Sequence, residues 1–356
     1  MNLSNVRTAT SVGARFYALR ERVSSGRFLN AAFAFLFLLM VALLARQLPT
    51  QSFGYFVNTT VIGITDGSIW ALLAIGYTMV FGIIELINFA HGDLLTLGGF
   101  ISLAFCGLFG VGNNSSLSLG VILILLLVML FTMLILGFLN VGIERVVFRP
   151  LRRRSRLAPL IGAVGVSFLL EGAMFAWHGP FDISYPNALT LQRLPLMGGA
   201  FIGVKAVAAI GVTVVLVTAL AIIVYRSRLG RAMRSTAQDR DAALLMGVDI
   251  NRTIAMTFFL GAALAGAGGM IYGLYFNTLT YNLGYENGLI AFTGAVIGGI
   301  GSIQGAALGG LMIGLIGAFS DGYFATIWTQ IVLFSLLIAF LVFKPTGLLG
   351  MRVPER

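Results

Sequence analysis

The chain alternates long apolar runs with short polar stretches rich in arginine. About 20 apolar residues in a helix cross the hydrocarbon of a bilayer. The runs 28–45, 118–140, 159–177, 203–224, 253–274 and 325–343 each suit one such helix. Two longer stretches, 53–111 and 287–320, are apolar throughout but glycine-rich, so each holds more than one segment. The pattern predicts an all-α fold, a polytopic membrane helix bundle of eight to ten transmembrane helices. The two glycine-rich stretches are expected to be broken or re-entrant.

Charge adds a direction. Residues 1–27, 141–158, 225–252 and 344–356 carry 20 of the 23 basic residues. Lys and Arg gather in cytoplasmic loops, so these four segments are assigned to the cytoplasm. Arg46, Arg193 and Lys205 fall on the other side. Region 53–111 must then cross an even number of times and 287–343 an odd number, with both termini cytoplasmic. The N-terminus has the order of a signal peptide, a basic segment before an apolar one. Its 27 residues are long for such a segment, and Val41–Ala45 offers no clean cleavage site, so the first span is read as uncleaved. The expected organisation is a basic extension 1–27, a membrane domain 28–343 containing the polar loop 225–252, and a tail 344–356.

Composition narrows the class. Of 356 residues, 58% are hydrophobic and 10% charged, too apolar for a soluble enzyme and too poor in charge for a disordered chain. The net charge of +10 follows from the orienting arginines and needs no nucleic acid. One cysteine, Cys106, and two histidines exclude an intrachain disulfide and a Cys- or His-rich metal site. Glycine, at 45 residues, suits close helix packing.

The longest polar stretch between spans, 225–252, contains Asp241-Ala242-Ala243-Leu244-Leu245-Met246-Gly247. Alanine and leucine favour a short helix, glycine would end it, and an acid at its start suits the helix dipole. A short helix with small residues on one face can enter a groove on a partner. A solvated connector is the plain alternative.

This D-A-A-x-x-x-G spacing resembles the E-A-A-x-x-x-G coupling loop of ABC importer permeases, with Asp241 in place of glutamate. Ala74–Gly82 (AIGYTMVFG), Ile87–Asp93 (INFAHGD), Thr293–Gly310 and Lys344–Gly350 (KPTGLLG) look like segments of the branched-chain amino acid permeases of the LivH type. The likeness spans roughly residues 55–350. The basic extension and the long loop 178–202 depart from the pattern. The resemblance implies that Asp241, Ala242, Ala243 and Gly247 dock on a separate ATPase subunit. It implies a permease subunit in a bacterial inner membrane, not itself an enzyme. A second permease, two ATPase subunits and a binding protein outside the cell would complete the importer. Branched-chain amino acids are the leading substrates, and urea or short amides, carried by a sister family, the runner-up. Neither Lys205 nor Lys344 lies in a G-x-x-x-x-G-K-[ST] loop, so the nucleotide site is assigned to a partner. No cofactor or metal is expected.

Ionisable groups within spans are functional by default. Asp66, Glu85, Asn88, His91 and Asp93 fall close together, and no Lys or Arg occurs between Arg46 and Arg145. Glu85–Asp93 is therefore expected to be embedded, as a break between helices lining a wet cavity. Ser302-Ile303-Gln304-Gly305 reads as its counterpart, since each segment precedes a Gly-Gly pair (Gly98-Gly99, Gly309-Gly310). Paired breaks suggest an inverted repeat with a route at its interface. The candidate route residues are Glu85, Asn88, His91, Gly92, Asp93, Glu171, Ser302, Gln304 and Gly305. Plain helix packing is the open alternative, because several of these glycines have G-x-x-x-G spacing. An ion-driven transporter and an intramembrane enzyme using His91, Asp93 and Glu85 are rival functions. The first needs no such loop, and the second lacks a nucleophile or metal set.

Overall fold

The structure is a computed structural model. It describes residues 52–85, 88–112, 118–152, 154, 157–189, 193–344 and 346–350. The basic extension 1–27, the expected span 28–45 and the end of the tail lie outside the described residues.

The helices run in order α1 (Phe53–Ile84), α2 (Ala90–Leu108), α3 (Leu119–Ile143), α4 (Leu157–His178) and α5 (Val204–Arg226). Two short ones follow, α6 (Arg228–Gln238) and α7 (Arg240–Leu245). The last four are α8 (Ile250–Phe276), α9 (Leu283–Gly298), α10 (Ile303–Tyr323) and α11 (Thr326–Phe343). Eight of the described helices are long and apolar enough to cross a membrane; α6, α7 and the 16-residue α9 are not. Region 53–111 holds two helices, and 283–343 holds three. Among the described residues each region holds two candidate spans, α1 and α2 in the first and α10 and α11 in the second, so the even count expected of 53–111 is met and the odd count expected of 287–343 is not. Strand is confined to two-stranded pairs, β1 (Ile183–Ser184) with β4 (Thr278–Leu279) and β2 (Arg193–Pro195) with β3 (Phe201–Gly203).

Helix starts follow local chemistry. The hydroxyls of Ser52, Ser118 and Ser302 and the carboxylate of Asp249 accept from backbone N–H groups in the first turns of α1, α3, α10 and α8. Such caps satisfy donors that no helix can pair internally.

Helix α1 is the centre of the bundle, and α10 packs antiparallel along it. Gly63 lies against Leu315, Gly67 against Leu311, and Gly310 against Ala71. A Cβ on Gly67 would stand 2.8 Å from the Leu311 Cα, so the two backbones touch. In lipid there is little hydrophobic force between helices, and this close packing supplies the attraction. Helix α3 is the opposite case. Leu123, Leu127, Leu130, Phe131 and Phe138 are exposed, an apolar face that suits lipid.

The basic loops share one end of the bundle. Arg240 of α7 reaches the last turn of α1, Gly301 approaches Gly82, and Leu348 and Leu349 donate to the carbonyls of Ile297 and Gly298. At the opposite end the Tyr55 hydroxyl donates to the Gly322 carbonyl at 2.6 Å.

Candidate functional site

At the basic end, α6 and α7 form a platform under the bundle. Ser227 caps α6, Gly230 is pressed on the Val224 carbonyl, and Met233 and Thr236 are buried. Asp239 caps α7, accepting from Asp241 N at 2.9 Å and Ala242 N at 3.1 Å. The helix closes at Gly247, with φ +83°. Gly247 N donates to the Leu244 carbonyl and Val248 N to the Ala243 carbonyl, the paired bonds of a Schellman end.

The two alanines do not share a face: Ala243 is buried and Ala242 exposed. The surface offered outward is apolar, with Leu244 59%, Leu245 88% and Met246 84% exposed. Sequence reasoning had named Asp241, Ala242, Ala243 and Gly247 and passed over these three. Their hydrophobicity, beside an exposed Asp241, was the available signal.

The second candidate group lies inside the bundle. Asn88, His91 and Asp93 are 3%, 1% and 1% exposed. The His91 ring meets the Tyr77 ring edge-on at 4.8 Å. Gly76 on α1 leaves room for His91, for a Cβ there would stand 2.6 Å from its Cε1. The Ser167 hydroxyl of α4 donates to Asp93 Oδ2, and the half-buried Glu171, one turn on, lies within electrostatic reach of Asp93. Asp93 Oδ1 and both polar atoms of the Asn88 amide find no hydrogen-bond partner among the described residues. A buried polar group left unpaired costs about 1–3 kcal/mol. Gly92 packs against Gly284, and a Cβ on Gly284 would stand 2.6 Å from the Asp93 Cα. The starts of α2 and α9 therefore meet here, inside the protein.

Four route candidates do not join this cluster. Glu85 is exposed, in contrast to the expected embedded position, because α1 runs on to the basic end before it stops. Gln304 is exposed too, and Ser302 caps α10, accepting from Gly305 N at 3.1 Å. Gly305 packs on Gly298. Segment 299–302 is thus the turn of the antiparallel α9–α10 hairpin, beside the tail residues 346–350. The geometric counterpart of the break after α1 is instead the break after α8. Glu85 and Asn277 each end a long helix with φ near +60°, and each precedes a helix whose start carries one of the touching glycines, Gly92 or Gly284.

Nearer the opposite end is a polar group that sequence reasoning did not assemble. Trp70 Nε1 donates to Asn287 Oδ1 at 2.9 Å, and Asp66 lies close to Asp321, Tyr272 and Tyr275. Tyr275 also lines a cavity of about 390 Å³ with Asn58, Arg193 and Lys205. Lys205 Nζ donates to Asn277 Oδ1 at 2.6 Å. These residues come from distant parts of the chain, and their aromatic bodies read as packing in sequence.

Fold and site define an all-α, multi-pass membrane protein with a short helical platform on its basic end. A family model described as branched-chain amino acid transport system, permease component, matches residues 59–341, and the chain belongs to that family. It is 38% identical over 305 residues to the high-affinity branched-chain amino acid transport system permease protein BraD of Pseudomonas aeruginosa, covering 85% of this chain and 98% of that protein. It is 38% identical over 312 residues to the permease protein LivH of Salmonella typhimurium and 37% identical to LivH of Escherichia coli K12, with 86% of this chain and 99% of each relative covered. No solved structure matches the chain.

Proposed function

We propose that this chain is the membrane permease subunit of an ATP-driven importer of branched-chain amino acids in a bacterial inner membrane. Family membership supports the importer class, and near full-length similarity to the BraD and LivH permeases supports the substrate over urea or short amides. The observation that carries the mechanism is the outward apolar face Leu244, Leu245 and Met246 on a capped, glycine-closed helix. Such a face away from lipid suits insertion into a groove on a partner. We assign that partner as one of two ATPase subunits. A second permease and an external substrate-binding protein complete the assembly, and the basic end and both termini face the cytoplasm.

The chain performs no covalent chemistry. Its task is alternating access, in which ATPase motion enters through α7 and shifts the helices around the buried cluster. Energy is coupled only if α7 contacts its partner differently in the two states. Asn88, His91 and Asp93 are closed off in the conformation described. Their unpaired polar atoms are the groups that water or a passing substrate would satisfy when the bundle opens. Glu85, Ser302, Gln304 and Gly305 belong to the cytoplasmic end of the route, and Glu171 flanks the buried cluster from α4.

The test is leucine uptake into liposomes holding this chain with its partner permease, ATPases and binding protein. Uptake should require enclosed ATP and persist without an ion gradient. Uptake driven by a sodium or proton gradient without ATP would overturn the reading.

A further inference from the structure

Helix α6 packs on the bundle through Gly230, Met233 and Thr236, and α7 bonds to α1 through one side chain. Arg240, the first residue of α7, donates through Nη2 to the Ile83 carbonyl at 2.6 Å. Ile83 lies in the last turn of α1, where carbonyls lack partners within the helix and a cation complements the dipole. Two residues later Glu85 ends the helix in the left-handed conformation. Beside this contact, Glu144 and Arg152 form an ion pair across the π-helical turn Glu144–Phe148, and Glu144 is 1% exposed. Burial, reinforced by the Arg240 guanidinium, pushes Arg152 down to about 10. The two guanidiniums lie within electrostatic reach of each other. The geometric contact that holds the Arg240 guanidinium at the end of α1 is its bond to the Ile83 carbonyl.

We propose that Arg240 is the positioning residue that carries movement of α7 into α1. This inference rests on the functional reading above and deepens it. α1 is one continuous helix from Phe53 to Ile84, and it carries Gly76 and Tyr77, which touch His91. A displacement of its last turn therefore reaches the buried cluster along a single rigid element, two turns away. The outward face of α7 receives the partner's motion, and Arg240, on the same helix, delivers it. The structural alternative is that Arg240 only caps α1, in which case its loss would lower stability without separating the motions of α7 and α1.

The experiment uses the assembled importer with a fluorescent label at Glu85→Cys, reporting α1, or at Ala237→Cys, exposed on α6 beside the platform. The native Cys106 is buried and does not compete for label. ATP should change both signals. With Arg240→Ala the change at 85 should fall roughly fivefold or more, the lower end of an allosteric coupling term, while the change at 237 persists. Arg240→Lys should restore part of the response at 85, because an ammonium still donates to a carbonyl. Arg240→Gln gives a second uncharged variant should the alanine variant fold poorly. An unchanged response at 85 in Arg240→Ala and Arg240→Gln would overturn the proposal. So would equal loss at both labels, which would make Arg240 part of the docking contact. No ATP response at either label in the otherwise native chain would overturn the ATP-driven reading itself.

Discussion

Glu85 and Asn277 stand in matching positions of two similar units. They are the two non-glycine residues with positive φ among the described residues, at 59° and 58°. The interval that separates them along the chain also separates Gly92 from Gly284, the glycines through which α2 and α9 touch. The units α1–α2 and α8–α9 thus share a plan: a long helix, a left-handed stop, and a helix that starts inside the protein. A left-handed non-glycine residue costs about 1–2 kcal/mol, and asparagine tolerates the conformation better than glutamate.

Glu85→Gly should therefore stabilise the protein by up to about 1 kcal/mol, after the entropy cost of glycine is subtracted. Asn277→Gly should destabilise it, since it removes the acceptor of Lys205 Nζ. Thermal midpoints in detergent check both, and a lower midpoint for Glu85→Gly would contradict the account.

The Gly92–Gly284 contact predicts a steric effect with a built-in control. Gly284→Ala would place a Cβ 2.6 Å from the Asp93 Cα and should cost about 1–3 kcal/mol, as overpacking does. Gly172→Ala, in α4 with nothing within 4 Å of its Cβ, should leave stability equal or slightly higher, because alanine favours helix. Equal midpoints for the two variants would show that the helices can separate freely.

Much of this architecture was legible in sequence, and the reasons differ by element. Spans at α3, α4, α5, α8 and α11 could be read from run length alone, because lipid demands continuous apolar helix. The helical end at Gly247 was legible because glycine adopts the left-handed backbone of a helix end at least cost. What failed was the fate of polar residues in glycine-rich stretches. Glu85 and Asn88 are three residues apart, yet one is exposed and the other buried, because α1 passes the buried cluster by two turns before it stops. The pairing of Asn88–Gly92 with Ser302–Gly305 rested on similar local composition. The true partner of Gly92 is Gly284, a relationship that exists only in three dimensions. Leu244–Met246 were overlooked for a related reason, since three apolar residues are unremarkable in this composition until their exposure is known.

The buried cluster makes a prediction about accessibility. Cysteines placed at 88 and 91 should resist a polar thiol reagent in the resting assembly and react during ATP turnover with substrate present. Labelling followed by mass analysis checks this. Absence of reaction at both positions under every condition would remove the cluster from the route and leave it a packing device.

The short helix α7 predicts uncoupling by backbone and charge. Gly247→Trp forces a bulky residue into φ +83°, a cost of about 1–2 kcal/mol against the helix end. Asp241→Arg puts a cation at the positive end of α7, reversing a favourable term of about 0.3–1 kcal/mol. Both variants should insert normally and lose substrate-stimulated ATPase activity in the assembly. Normal stimulated activity in both would contradict a coupling role for α7.

The central claim is that the apolar face of α7 receives the force of ATP hydrolysis from a partner. Replacing Leu245, 88% exposed, by glutamate tests it most directly. Leu245→Glu touches nothing in the core, so the thermal midpoint of the isolated chain should not move. Co-purification with the ATPases and ATP-driven leucine uptake should each fall roughly tenfold or more, as when a central apolar contact of an interface is lost. Retention of ATPase binding and of uptake at native levels would contradict the account.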